Sequence, residues 1–273
     1  MIELLAPDWN HWPDGLTRSE IAEAVARAGV AGLELGVYDT GVELAAGRVD
    51  EWRRLGDRHG VPVRALLYSM PPERWPDGGL GSPSSRRRLL DEVDALLAVA
   101  TDLGIDRVGL WPGADLPGVD RGAIATVVAD LALLAARHGN RIAIEPKPGT
   151  SIAAPADVIS IIDATGTAGT IGLLLDTGHE FAAGRDPAAM VAGLAGHLLH
   201  VHLGDSDGDP DADLPPGRLH PLDPFLAALD AADYRGAMSP DVYGAVESGV
   251  VTGVQAVRET VERVTSYRAR RPG

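Results

Sequence analysis

Ile171-Gly172-Leu173-Leu174-Leu175-Asp176-Thr177-Gly178-His179 is a short apolar run closed by a carboxylate and a turn. A segment of helical length follows. A second apolar run, Leu198-Leu199-His200-Val201-His202-Leu203, comes after it. Short apolar run, helix, short apolar run is the pattern of parallel strands joined by crossover helices. Working outward, the same unit recurs along the whole chain. Runs at Arg141 to Glu145 and Ala237 to Val242 flank the quoted stretch, and Ile2 to Ala6, Gly32 to Gly36, Val61 to Tyr68 and Arg107 to Trp111 precede it. The total is eight. Thr17-Arg18-Ser19-Glu20 is a capping box that opens a helix carrying Ile21, Val25 and Ala28 and ending at Gly29. A second helix starts near Asp50 and stops at Gly60. From about Ser84 to Leu103, Leu89, Leu90, Val93, Leu96, Leu97, Ala100 and Leu103 recur at the 3.6-residue period of an amphipathic helix. Ile124 to Leu134 and Val254 to Val264 supply further helical stretches.

Eight βα units in 273 residues average about 34 residues each, the size of a (β/α)8 TIM barrel of roughly 250 residues. A doubly wound open sheet is the rival, but no Gly-x-Gly-x-x-Gly turn follows the first strand. No Ser/Gly linker or charge block divides the chain. The expected organisation is a single α/β barrel domain over residues 1–273, with a short tail after about residue 268.

Composition narrows the chemistry. With 24 basic and 39 acidic side chains the formal net charge is −15, which disfavours nucleic acid and anionic membrane surfaces as partners. The absence of cysteine removes disulfides, thiolate zinc sites and cysteine nucleophiles. Met1 to Leu5 lacks a basic, then apolar, leader pattern, and no run approaches the roughly 20 apolar residues of a membrane span. A cytoplasmic location is the expectation. Self-association is compatible with the sequence.

Active sites of such barrels lie at the C-terminal ends of the strands. Strand two carries Glu34, strand three ends at Tyr68, strand four at Trp111, and strands five to eight deliver Glu145, Asp176, His202 and Asp241. A single carboxylate there could be no more than a helix cap. Several side by side at a low-dielectric rim are costly unless a cation offsets them. Three carboxylates and one imidazole suit one divalent ion, Mn2+ first, with Mg2+, Co2+ or Zn2+ as alternatives.

These pieces, Ile144-Glu145-Pro146, Leu175 to His179, His200-Val201-His202-Leu203-Gly204-Asp205 and Gly236 to Tyr243, resemble the xylose isomerase-like TIM barrel superfamily of sugar isomerases and epimerases. Inosose and dehydroshikimate dehydratases and apurinic endonucleases share that superfamily. The resemblance implies that Glu145, Asp176 and His202 are metal ligands and that His179 orients substrate oxygens. It further implies a small carbohydrate-like substrate and proton abstraction next to a carbonyl, with Glu145 and Asp241 as the catalytic carboxylates. Asp241 departs from the pattern, which has glutamate there, and is shorter by about 1.5 Å. Dehydration is the alternative reaction, and sugar binding without turnover a lower one. The trinuclear zinc endonucleases need histidines on strands three and four, where this chain has Tyr68 and Trp111.

Other residues carry weaker expectations. Lys147, the sole lysine, shares the parity of Glu145 and is expected to meet substrate. A Schiff-base role is disfavoured, because neighbouring carboxylates hold the ammonium protonated. His11, in the loop after strand one, and Arg218 are further substrate-binding candidates, together with Glu34, Tyr68 and Trp111. Trp9, Trp12, Trp75 and Trp111 suit either a sugar pocket or simple packing. His200, one layer deeper than His202, reads as a hydrogen-bonded core histidine. The acidic stretch Asp205 to His220 reads as a solvated lid.

Overall fold

The computed structural model describes residues 2–115 and 120–270. Eight parallel strands close into a barrel in sequential order, β1 (Glu3–Pro7), β2 (Gly32–Val37), β3 (Val63–Ser69), β4 (Arg107–Trp111), β5 (Arg141–Ile144), β6 (Ile171–Asp176), β7 (Leu198–Leu203) and β8 (Ala237–Pro240). β8 returns to β1 through the pairs Glu3 with Ala237 and Leu4 with Met238. Alternate residues of each strand therefore face the barrel interior or the helices outside.

The interior is filled in layers. Leu5, Ala65 and Ala237 form one cluster, and Leu67, Ala143 and Leu174 form another beneath Trp9. Space there is limited. A Cβ on Gly109 would lie 2.8 Å from Leu67 Cδ1 and 3.0 Å from Leu174 Cδ1, so β4 contributes glycine to that layer.

Outside, the helices cover the strands with the apolar faces expected of them. Thr17 and Glu20 form the reciprocal capping box of the helix Arg18–Ala28, which Gly29 ends in the left-handed conformation. Arg86–Asp102 buries Leu89, Val93, Leu96, Leu97 and Ala100, each large side chain worth about 1.5–3 kcal/mol of apolar burial. The second helix begins earlier than expected, at Ala46, after a separate turn of helix at Thr40–Glu43. The last helix continues to Arg270; the rest of the expected tail lies outside the described residues. Among the described residues, no helix is long and apolar enough to cross a membrane.

Register fixes the layers at the functional end. His202 pairs with Asp176 on one side and Ser239 on the other, while His200 lies one step down beside Leu174 and Ala237. On β3, Ala65 and Leu67 face inward, so Tyr68 faces out. Its expected place at the mouth is corrected accordingly. Tyr68 packs edge-on against Trp75, at 6.5 Å between ring centroids, and donates to Glu92 at 2.6 Å. Trp75 is likewise outside the pocket, fully buried under the guanidinium of Arg88.

Candidate metal centre and active site

Strand ends bring Glu145, Asp176, His202 and Asp241 together, with one donor atom of each within 4.8 Å of all the others. His202 Nδ1 lies 3.1 Å from Glu145 Oε1, 3.6 Å from Asp241 Oδ2 and 3.9 Å from Asp176 Oδ2. Glu145 and Asp241 follow directly after β5 and β8, and their backbone N–H groups bond Leu110 and Leu203 of the neighbouring strands. Asp176 closes β6 and caps the short helix Thr177–Ala182, accepting from the His179 N–H at 3.0 Å.

Burial and mutual charge set the electrostatics here. Burial pushes the Asp176 carboxyl up to about 8, and Glu145 and Asp241 add to the push. Burial also raises Glu145, but His202, His179 and Lys147 outweigh it and bring the net shift down. Burial opposes a charge on His202, yet Glu145 and Glu34 raise its pKa well above the ordinary imidazole value. Three carboxylates and an imidazole nitrogen, drawn from four strand ends, fit a divalent ion bound through oxygen and nitrogen.

Buried neighbours hold two of these four, His202 and Asp241. His202 Nε2 meets Glu34 Oε1 at 3.3 Å, and Glu34 Oε2 meets His200 Nε2 at 3.0 Å and the Ser239 hydroxyl. Burial alone would raise the Glu34 carboxyl; the two imidazoles reverse it and hold it well below the carboxylate range. Glu34 is completely buried beneath His202, so its expected contact with substrate is corrected. His200 is the hydrogen-bonded core histidine expected. The Trp9 indole N–H donates to Asp241 Oδ1 at 3.0 Å. His179 Nδ1 lies 3.2 Å from the Pro146 carbonyl. A carbonyl only accepts, so that nitrogen carries the proton and Nε2 keeps the lone pair.

Of the remaining candidates, Lys147 forms an ion pair with Asp211 at 2.7 Å. Burial lowers its pKa, but Asp213, Asp211 and Glu145 outweigh that and raise it. Trp111 is half-buried at the end of β4 and shares the inward parity of Gly109. Arg218 is exposed. His11 is buried, and a Cβ on Gly253 would lie 2.6 Å from its Nδ1. Burial brings it down to about 4. Packing against the last helix in the neutral form therefore replaces its expected place at the mouth.

The loop from 205 to 220 is not a solvated lid. Asp205 is fully buried and accepts from the backbone N–H groups of Ser206, Leu219 and His220 at 2.7–3.0 Å. It also meets His220 Nδ1 at 2.6 Å. Asp205 and Leu214 form an antiparallel bridge. The result is a folded strap that carries Asp211 to Lys147. Asp213, at φ 39°, accepts from the Gly244 N–H at 3.1 Å. A Cβ on Gly244 would lie 2.1 Å from the Asp211 carbonyl, so the strap can lie down only over glycine. Removal from water and the charge of Asp241 push Asp213 up to about 7, against the pull of Lys147 and His179. Sequence reasoning missed this residue, since nothing in a run of alternating aspartates marks which one turns inward. Tyr38 was missed despite a usable signal. It shares the parity of Glu34 and Gly36 and lies nearer the rim, where a Cβ on Gly36 would meet the rings of Trp12, Trp9 and Tyr38 at 3.2 Å. Burial raises its phenol, with Asp241, Asp8, Tyr243 and Glu145 adding to the effect.

The comparisons with known proteins agree on the architecture. A solved D-tagatose 3-epimerase-like protein superposes with a TM-score of 0.78 at 18% identity, covering 98% of this chain and 99% of the other. The IolI protein with a bound zinc atom gives 0.78 at 18%, over 97% and 99%. L-ribulose 3-epimerase gives 0.73 at 19%, over the full length of both. In sequence, the rhizopine catabolism protein MocC of Rhizobium meliloti is 33% identical over 94 residues, 34% of this chain. That match spans 28% of the relative's length. The family model described as xylose isomerase-like TIM barrel matches residues 22–266. Its span takes in the second to eighth strands, including all four converging strand ends, and the chain belongs to the xylose isomerase-like TIM barrel family.

Proposed function

We propose that this protein is a divalent-metal-dependent isomerase or epimerase of a small sugar or related polyhydroxylated carbonyl compound. The observation that carries the reading is the convergence of Glu145, Asp176, His202 and Asp241 at the mouth of the barrel. The structural likeness to a D-tagatose 3-epimerase-like protein, L-ribulose 3-epimerase and a zinc-bound IolI protein supports it.

A divalent ion held by these four residues would polarise a carbonyl and its neighbouring hydroxyl and so acidify the intervening C–H. Glu145, kept ionised by its neighbours, takes that proton as the general base. His179 Nε2 accepts from a substrate hydroxyl and fixes its orientation. Lys147 stays an ammonium against Asp211, which provides a hydrogen-bond donor for a substrate oxygen and opposes the free amine that a Schiff base requires. Trp111 and Tyr38 form apolar wall for the sugar carbons. Asp241 serves chiefly as a ligand, because one of its oxygens is already engaged by Trp9.

That engagement favours dehydration as the second reading. Epimerisation returns a proton to the opposite face of the carbon, whereas β-elimination after the first abstraction needs no such return. The test is a Mn2+-replete screen of ketoses, keto-inositols and 3-dehydroshikimate in D2O, read by NMR. Deuterium next to the carbonyl together with an isomer or epimer supports the first reading. Loss of water supports the second. No exchange with any of them, or a cluster of three zinc ions in the site, overturns the proposal.

A further inference from the structure

We propose that Glu34 is a positioning residue that fixes the ring state of His202 and so presents Nδ1, rather than Nε2, to the metal. The inference rests on the metal reading above. Glu34 lies on the interior of β2, is wholly shielded from solvent, and spends each carboxylate oxygen on a different imidazole: Oε1 on His202 Nε2 at 3.3 Å and Oε2 on His200 Nε2 at 3.0 Å. A carboxylate only accepts hydrogen bonds, so each imidazole must bring its proton on Nε2. A neutral His202 held this way has its lone pair on Nδ1. That is the atom 3.1 Å from Glu145 and 3.6 Å from Asp241, facing the other donors. A carboxylate behind a ligating imidazole fixes its tautomer and raises its basicity. Here one carboxylate is shared by two histidines, with the Ser239 hydroxyl on the second oxygen. The layering of the barrel makes this possible, since His200 and His202 sit two residues apart on one face of β7.

Glu34, His200 and His202 are themselves close enough to form a candidate metal set. All three are closed off from solvent, so an ion there would have no face for substrate. The test separates the two arrangements.

Protein labelled with 15N-histidine and loaded with Zn2+ is examined by long-range 1H–15N correlation. The expected spectrum has His202 protonated at Nε2 and metal-bound at Nδ1. Mn2+ affinity is measured by the loss of the free-ion EPR signal. Glu34→Gln offers one acceptor oxygen to two N–H donors, and it should weaken Mn2+ binding by about 10- to 100-fold, the usual effect of losing such a partner. Ser239→Ala, which removes the hydroxyl from Glu34 Oε2 and from His200 Nε2 but leaves Oε1 on His202, should weaken Mn2+ binding by less than Glu34→Gln does. Zinc on Nε2 of His202, or wild-type Mn2+ affinity in folded Glu34→Gln, overturns the proposal while leaving the metal reading intact. Binding that survives Asp176→Asn but vanishes in Glu34→Gln places the ion on the deeper set and overturns it too. A wild-type protein that binds no Mn2+ sinks both readings together. The zinc spectrum of the wild type decides the matter even if the variant does not fold.

Discussion

Asp241 gives one oxygen to the Trp9 indole and keeps the other toward His202, so the two catalytic candidates are unequal. Glu145→Gln should keep much of the metal affinity and lose deuterium exchange next to the carbonyl by about 10²- to 10⁴-fold, the effect of removing a general base. Undiminished exchange would move the base to Asp241, His179 or Asp213. The shorter Asp241 already reaches the other donors. Asp241→Glu should therefore lower turnover, by about 100-fold for a misplacement near 1 Å; a gain would mean that the backbone has not adapted to aspartate. Asp8 offers a test of charge below the site. It is buried, accepts from the Gly36 N–H at 2.8 Å, and is pushed up to about 7 by burial and by Glu34. Because its folded pKa is raised, the protonated form is favoured, and stability present below about pH 4 is lost as pH rises through about 7. Asp8→Asn keeps an acceptor for Gly36, and its gain over wild type in denaturant unfolding should be small near pH 4 and reach about 1–4 kcal/mol at pH 8. A gain that does not vary with pH would refute the assignment.

Strand periodicity is the part of the fold that the sequence displays openly, and it is also where two site residues went astray. A two-residue repeat tells which residues share a face but not which face that is. Tyr68 was placed by its position at the end of an apolar run, whereas the inward residues of β3 are Ala65 and Leu67. The same parity, followed from Glu34 through Gly36, leads to Tyr38. The capping box at Thr17 and the converging strand ends at 145, 176, 202 and 241 were legible because each depends on local pattern and on the general rule for barrel active sites. The strap was not. It is ordered by one buried carboxylate, Asp205, whose partners lie up to 15 residues away, and a run of aspartates and prolines looks the same whether it is solvated or stapled. Asp205→Ala should release the strap, exposing residues 206–218 to limited proteolysis and to fast amide exchange while the barrel's circular dichroism stays unchanged. Without Asp211 held on Lys147, kcat/KM should fall by about 100-fold, the cost of a positioning error near 1 Å. Wild-type protection of the strap in that variant would show that the bridge between residues 205 and 214 suffices alone.

For the whole molecule, the proposed metal acts as a countercharge inside a chain of formal charge −15. The three carboxylates proposed as its ligands come from the ends of β5, β6 and β8, so an ion between them would tie together the half of the barrel that closes on β1. Ligand linkage at about 100 times the dissociation constant is worth about 2.7 kcal/mol, or a rise of about 5–11 °C in Tm for a domain of this size. The pH dependence follows from the carboxylates. Asp176 and Asp213 are raised, to about 8 and about 7, so the protein without metal is most stable with them protonated and loses that contribution as pH climbs from about 4 through 8. The ion needs Asp176 ionised, so its stabilisation grows over the same interval. The difference in Tm between Mn2+-loaded and chelator-treated protein should thus widen from pH 5 to pH 8. Nonspecific cation binding to an acidic surface would also raise Tm, but it would persist in Asp176→Asn. The specific effect should be largely lost in that variant. A Tm at pH 8 indifferent to chelation, in protein first shown to carry its metal, would mean that the four strand ends are held by packing and hydrogen bonds alone.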